Sequence, residues 1–145
     1  MILYVDTSAL LKAYVEEEGS PVVRDQLGQA NRLTTSAITY VEVHTALARR
    51  RHRGGLSPVE YRKAMRSFEE DWARFLRVDV GDAVLSEAAR LGTAHVLRAY
   101  DAIHLGSAVV LRSQLRADIM LASWDAELDA AAARERFTVL RARRR

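Results

Sequence analysis

The chain has 145 residues, 49% of them hydrophobic, which is one domain's length and enough apolar matter for a single core. It contains no cysteine, so disulfide staples, thiolate catalysis and sulfur-ligated metal centres are excluded, and any metal must be held by oxygen or imidazole. The 22 Lys plus Arg against 19 Asp plus Glu give a formal charge of +3, carried almost wholly by arginine, a balance that is compatible with a polyanionic partner without demanding one.

Ile2–Val5 is a short apolar run that reads as a buried strand, and Asp6 follows it where a secretion signal would still be apolar. The expectation is therefore an intracellular, cytoplasmic protein. Thr7 or Ser8 is expected to cap a helix through Tyr14, leaving Asp6 free of that task. Ser20-Pro21 opens a second short helix that ends before Asn31, and residues 33–36 form another strand. From Ala37, Ile38, Val41, Thr45 and Ala48 beside Tyr40, His44 and Leu47 recur at helical spacing. That helix runs into Arg49, Arg50, Arg51, His52 and Arg53 and stops at Gly54-Gly55.

Ser57-Pro58 with Glu60 predicts a capping-box helix to about residue 75, followed by a strand over 75–78. Asp82 opens a helix to about residue 91. Residues 101–116 are strongly helical, 118–122 are a strand that delivers Ser123-Trp124-Asp125, an alanine-rich helix follows to about residue 136, and 138–140 form a last edge strand. Strands alternating with helices predict an α/β fold, a short parallel sheet covered on both faces, with residues 1–145 as one domain. Residues 141–145 carry four arginines and read as a charged tail. No stretch reaches the ~20 apolar residues of a membrane helix.

In such a sheet, ligands bind beyond the carboxyl ends of the strands. Asp6 and Asp125 lie there, Asp101 begins a helix, and Glu42 sits within one with no basic residue at helical spacing. Each aspartate alone is explained as a helix cap. Together, convergent carboxylates repel, and a hard divalent ion among them relieves the repulsion. Magnesium prefers carboxylate oxygen and water and takes one or two direct protein carboxylates plus substrate phosphate, the arrangement of phosphodiester hydrolysis.

Val5-Asp6-Thr7-Ser8-Ala9-Leu10, Glu42 after a strand and a serine, Asp101-Ala102-Ile103-His104-Leu105 and Ser123-Trp124-Asp125 occur in this order through nearly the whole chain. Together they resemble the PIN-domain family, in particular the VapC-type toxin ribonucleases of bacterial toxin–antitoxin pairs. The resemblance implies a three-layer α/β/α sandwich and Mg²⁺- or Mn²⁺-dependent cleavage of RNA. It implies further that Asp6, Glu42 and Asp101 are the metal-binding acids and Asp125 the more variable fourth. Thr7, Ser8 and Ser123 match hydroxyl residues that support the acids or the water. Gly106 stands where relatives more often carry alanine, a change expected to loosen helix packing slightly. The implied partners are RNA, a cognate antitoxin and a second copy of the chain.

Other readings stand beside this one. His104 shares a helical face with Asp101 and is read as structural or supporting. Arg49, Arg50, Arg51 and Arg53 are read either as a grip on RNA phosphate, Arg50 lying ~12 Å along the helix from Glu42, or as a solvated helix end favoured by the macrodipole. Leu10, Leu11, Tyr14, Tyr40, Val41 and Leu47 are read as core or as a face for self-association or antitoxin docking. The alternatives to a ribonuclease are a silent RNA- or antitoxin-binding module and a metal-dependent phosphomonoesterase, the latter weakened by Ser8 standing where those enzymes place a second aspartate.

Overall fold

The fold is described from a computed structural model over residues 1–140; the expected tail at 141–145 lies outside the described residues. The elements run β1 (Ile2–Val5), α1 (Thr7–Tyr14), α2 (Ser20–Gln29), β2 (Arg32–Ser36), α3 (Thr39–His52), α4 (Pro58–Trp72), β3 (Leu76–Val78), α5 (Asp82–His95), α6 (Ala99–Leu115), β4 (Ile119–Ala122), α7 (Ala126–Arg134) and β5 (Thr138–Leu140). The five strands form one sheet in the order β3-β2-β1-β4-β5, every pair parallel. The chain lays down β1, β2 and β3 outward in one direction and then returns to place β4 against the other side of β1. The carboxyl ends of the strands at such a reversal, here β1 and β4, are where ligands of open α/β sheets bind.

Alternation along the strands divides the core into two layers. Leu3 and Val5 of β1 and Ala122 of β4 pack with Leu10 and Leu11 of α1, Val43 and Leu47 of α3 and Phe68 of α4. Tyr4, Ile119 and Leu121 point the other way, toward Val84 and Leu91 of α5, Leu105 and Leu111 of α6, and Leu128 of α7. The result is the expected three-layer α/β/α sandwich. Burying both faces explains why these short strands are so apolar. β2 departs from that rule: Thr34, Thr35 and Ser36 are fully buried. The hydroxyls of Thr34 and Thr35 donate to the carbonyls of Leu3 and Val5 at 3.1 and 2.7 Å, which removes the cost of burying them.

Several expectations are corrected. Asp6 itself caps α1, its carboxylate accepting from the Ala9 N–H, so the task is not left to Thr7 or Ser8. α6 starts at Ala99 with Arg98 as its cap residue, which puts Asp101 inside the first turn rather than at the N-cap. α5 continues to His95. On α3 the inward residues are Thr39, Val43 and Leu47, which share one helical face, while Val41 lies off that face and is 61% exposed. Leu10, Leu11 and Leu47 are core, which removes most of the surplus apolar face expected there. Gly106 tightens packing rather than loosening it: a Cβ there would sit 2.9 Å from the backbone N of Ala88, so glycine is what lets α6 approach α5. The capping box of Ser57 and Glu60 forms as expected.

Candidate active site

Parallel pairing places the carboxyl ends of β1, β2 and β4 on one edge, and that edge gathers the buried polar residues Asp6, Thr7, Thr35, Ser36, Thr39, His104 and Ser123. Asp6 is fixed first. Its backbone N–H donates to the carbonyl of Ala122 at 3.0 Å, tying the end of β1 to the end of β4. The Ser8 hydroxyl lies 2.8 Å from both Asp6 carboxylate oxygens and accepts from the Trp124 N–H at 2.9 Å. One serine thus joins the Asp6 carboxylate to the loop that carries Asp125. In that loop the Asp125 N–H donates to the Ser123 hydroxyl at 2.9 Å, and the Asp125 carboxylate caps α7 through the Leu128 N–H. Asp125 is therefore both a helix cap and a member of the acidic edge.

Asp101 reaches the same edge from the first turn of α6. Its Oδ2 is buried without a hydrogen-bond partner, with Arg98 Nε 3.5 Å away; Arg98 Nη2 lies 3.2 Å from Asp125 Oδ2. A single guanidinium thus touches both acids. Burial holds the Asp6 carboxyl above the usual carboxylate range, opposed by His104 and its own hydrogen bonds and reinforced by the charge of Asp101. Burial also raises Asp101, with Asp125 adding to the push and Arg98 opposing it. Asp101 thus sits between two like charges, repelling Asp6 on one side and Asp125 on the other.

Glu42 belongs to a neighbouring network. Its Oε1 accepts from the Thr7 hydroxyl at 2.8 Å and lies 2.7 Å from His104 Nε2, so the basic partner missing at helical spacing comes from α6. His104, only 2% exposed, places its Nδ1 2.8 Å from the Tyr4 hydroxyl. Burial pushes the Tyr4 phenol well up, so it stays protonated. The His104 ring thus bridges the Tyr4 hydroxyl and the Glu42 carboxylate through its two nitrogens. Thr39 bonds Thr35 at 2.8 Å beneath it. His104 is a positioning residue for Glu42.

The arginine cluster divides. Arg50 Nη1 pairs with Glu17 at 2.6 Å, and the Arg51 guanidinium sits 5.0 Å from the Tyr61 ring centre. Arg49 and Arg53 are exposed. Sequence reasoning missed Arg98, Tyr4 and the buried threonines of β2. The threonine run beside an apolar strand was a signal; nothing local marked Arg98 or Tyr4.

The acidic donors are all oxygen, Asp101 Oδ2 lacks a hydrogen bond, and three carboxylates repel, all of which suits a hard divalent cation. Among the described residues no group of three or more His, Asp or Glu side chains stands close enough together to hold a metal ion.

The PIN domain model matches residues 3–134. The curated protein Ribonuclease VapC45 of Mycobacterium tuberculosis is 32% identical over 127 residues, covering 88% of this chain and 86% of that protein. Among solved structures, a toxin–antitoxin complex from Klebsiella pneumoniae superposes with a TM-score of 0.61 at 17% identity over 86% of this chain and 87% of that one. VapBC2 from Rickettsia felis, bound to a DNA fragment from its promoter, gives a TM-score of 0.64 at 11% identity over 97% and 98%. At these identities the two structures speak for the fold.

Proposed function

The chain belongs to the PIN-domain family, and on that premise we propose that it is the toxin endoribonuclease of a toxin–antitoxin pair, hydrolysing RNA phosphodiester bonds in the cytoplasm with Mg²⁺ or Mn²⁺ as cofactor. The observation that carries the reading is the repulsion of Asp101 by Asp6 and Asp125 at the carboxyl ends of β1 and β4, with the Asp101 oxygen lacking a hydrogen bond. The curated relative is named as a ribonuclease, which supports the substrate class.

In this reading Asp6 and Asp101 supply oxygens to the ion, Glu42 contributes the oxygen not already engaged by Thr7 and His104, and Asp125 is the fourth acid. When bound, the ion lowers the pKa of a water and polarises a phosphoryl oxygen. Ser8 holds the Asp6 carboxylate in one orientation, Thr7 and His104 hold Glu42, and Ser123 fixes the loop that presents Asp125. Arg49 and Arg53, free of the intramolecular pairing of Arg50, are the members of the cluster proposed to meet RNA phosphate. A cognate antitoxin is proposed because one structural relative is itself a toxin–antitoxin complex. Homodimerisation rests on the family resemblance, since the apolar residues first invoked for it are largely core. No helix among the described residues is long and apolar enough to cross a membrane.

The test is RNA cleavage by the purified chain. Chelation should abolish it, Mg²⁺ or Mn²⁺ but not Ca²⁺ should restore it, and Asp6→Asn should remain inactive with every ion. Retained cleavage by Asp6→Asn contradicts the assignment. Hydrolysis of small phosphomonoesters in place of RNA would favour a phosphatase, and RNA binding without turnover the silent module.

A further inference from the structure

Arg98 is the last of the three residues between α5 and α6, and its side chain makes no capping bond to the helix it precedes. Two residues earlier Val96 ends α5 at φ 54°, a left-handed conformation that a β-branched residue rarely adopts. This turn carries the arginine over the acidic edge. The Arg98 side chain is 77% exposed, whereas those of Asp101 and Asp125 beneath it are 16% and 23% exposed. The guanidinium reaches from solvent onto two sunken carboxylates. It does not grip either as a fork: one nitrogen goes to each acid, at 3.5 and 3.2 Å, and the Asp101 oxygen gains no hydrogen bond from it. An exposed pair of this geometry is weakly held and easily exchanged.

Building on the metal-dependent ribonuclease reading above, we propose that Arg98 is an exchanging cation. In the ion-free protein its guanidinium neutralises Asp101 and Asp125, and when a divalent ion takes Asp101 the guanidinium passes to a phosphate of single-stranded RNA. The argument is one of charge and shared atoms. Asp101 Oδ2 is the oxygen nearest Arg98 Nε and also the carboxylate oxygen without a hydrogen bond, so a guanidinium and a divalent ion compete for it. Once displaced, the arginine is a long, exposed side chain next to the carboxylates, with five donors in a planar fork that matches a phosphate. Arg98 therefore serves as a placeholder for the ion first and a substrate-binding residue second. Its position, three residues before Asp101 on the same turn, keeps both roles at one site.

The test uses the full chain stripped of metal. Mn²⁺ alone is titrated into wild type and Arg98→Gln, with free Mn²⁺ read by its paramagnetic resonance signal. Arg98→Gln should bind Mn²⁺ about threefold to fivefold more tightly, the effect of removing a weak competing ion pair. In Ca²⁺, where RNA should stay intact, Arg98→Gln should bind a single-stranded oligoribonucleotide more weakly, with the slope of log affinity on log salt reduced by ~0.7, and Arg98→Lys should keep the slope. Because the Arg98 side chain is exposed and makes no capping bond, an unchanged circular dichroism spectrum serves as the folding control, while the metal-free variant should melt slightly below wild type for want of the cation beside Asp101 and Asp125. Equal or weaker Mn²⁺ binding by Arg98→Gln overturns the exchange, and an unchanged salt slope overturns the phosphate contact. Absence of Mn²⁺ binding by wild type would instead overturn the metal-dependent reading, and this proposal with it.

Discussion

Two groups of charged residues sit within a few turns of each other in sequence and have opposite physics. At the end of α1, Lys12 is 7% exposed yet fully engaged: its ammonium lies 3.2 Å from Glu17 Oε1, donates to the Glu18 carbonyl at 2.7 Å and rests 4.6 Å from the centre of the Trp124 ring. Arg50 adds a second cation to Glu17. Burial works against the Glu17 charge, but Arg50 and Lys12 together hold its carboxyl below the usual range. At the start of α1, Asp6 is just as buried and is pushed the other way by that burial, with Asp101 adding to the push; Asp101 is itself raised by burial and by Asp125, with one exposed arginine in partial relief. The first group is complete and its work is to hold the chain together; Gly19, at φ 87°, gives the Trp124 ring the space it occupies. The second group is incomplete, and a fold keeps an incomplete charge set where something else binds.

Changes at the two groups should therefore diverge. Asp101→Asn is expected to cut RNA cleavage about a thousandfold or more, since several kcal/mol of transition-state stabilisation depends on the carboxylate and each 1.4 kcal/mol is tenfold. Single-turnover cleavage measures it. His104→Gln should lose about tenfold to a hundredfold, the range for residues that orient a ligand, with circular dichroism unchanged. Glu17→Gln should leave cleavage near wild type but cost about 1–3 kcal/mol of stability in urea melts, because Lys12 is left buried beside a neutral group. Since Glu17 is depressed in the folded state, its contribution is present above the unfolded carboxylate pKa and fades as pH falls through the folded value. The stability gap between Glu17→Gln and wild type should shrink in acid. The smallest effect is expected at Arg49 and Arg53: glutamine at both should lower the salt slope of RNA binding by ~1.4, at ~0.7 per lost contact, with little change in melting temperature. An unchanged slope would assign them to the solvated helix end.

What the sequence disclosed about these two groups follows from how local each signal is. β1 and β4 were legible because both faces are buried, so the strands are short apolar runs that end at Asp6 and just before Ser123. Asp6 and Asp125 were conspicuous for the same reason, as acids just beyond such strands, whereas Asp101 follows no strand and stood out only as a helix start and through the family resemblance. The bond from His104 to Glu42 spans 62 positions and exists because α6 and α3 both meet β1 at its carboxyl end, which no spacing rule reports. Arg98 and Arg50 were equally opaque as arginines, and their roles depend on which carboxylate the fold sets before them. Of the six apolar residues read as core or as a docking face, Val41 is the one that stands exposed, because it lies off the face shared by Thr39, Val43 and Leu47.

If the carboxylates at the β1–β4 edge repel and require a cation, the stability of the metal-free protein must report it. Thermal melts of metal-free wild type and Asp101→Asn from pH 4 to pH 7, with and without Mg²⁺, test it most directly. A carboxyl raised in the folded state binds its proton more tightly there than in the unfolded chain, so its penalty is absent below the unfolded pKa and grows as pH rises through the folded value. Without metal Asp101→Asn should melt above wild type at pH 7, the gap should close toward pH 4, and Mg²⁺ should raise wild type but not the variant. A metal-free Asp101→Asn that melts below wild type at pH 7, with Mg²⁺ affecting neither, would contradict it.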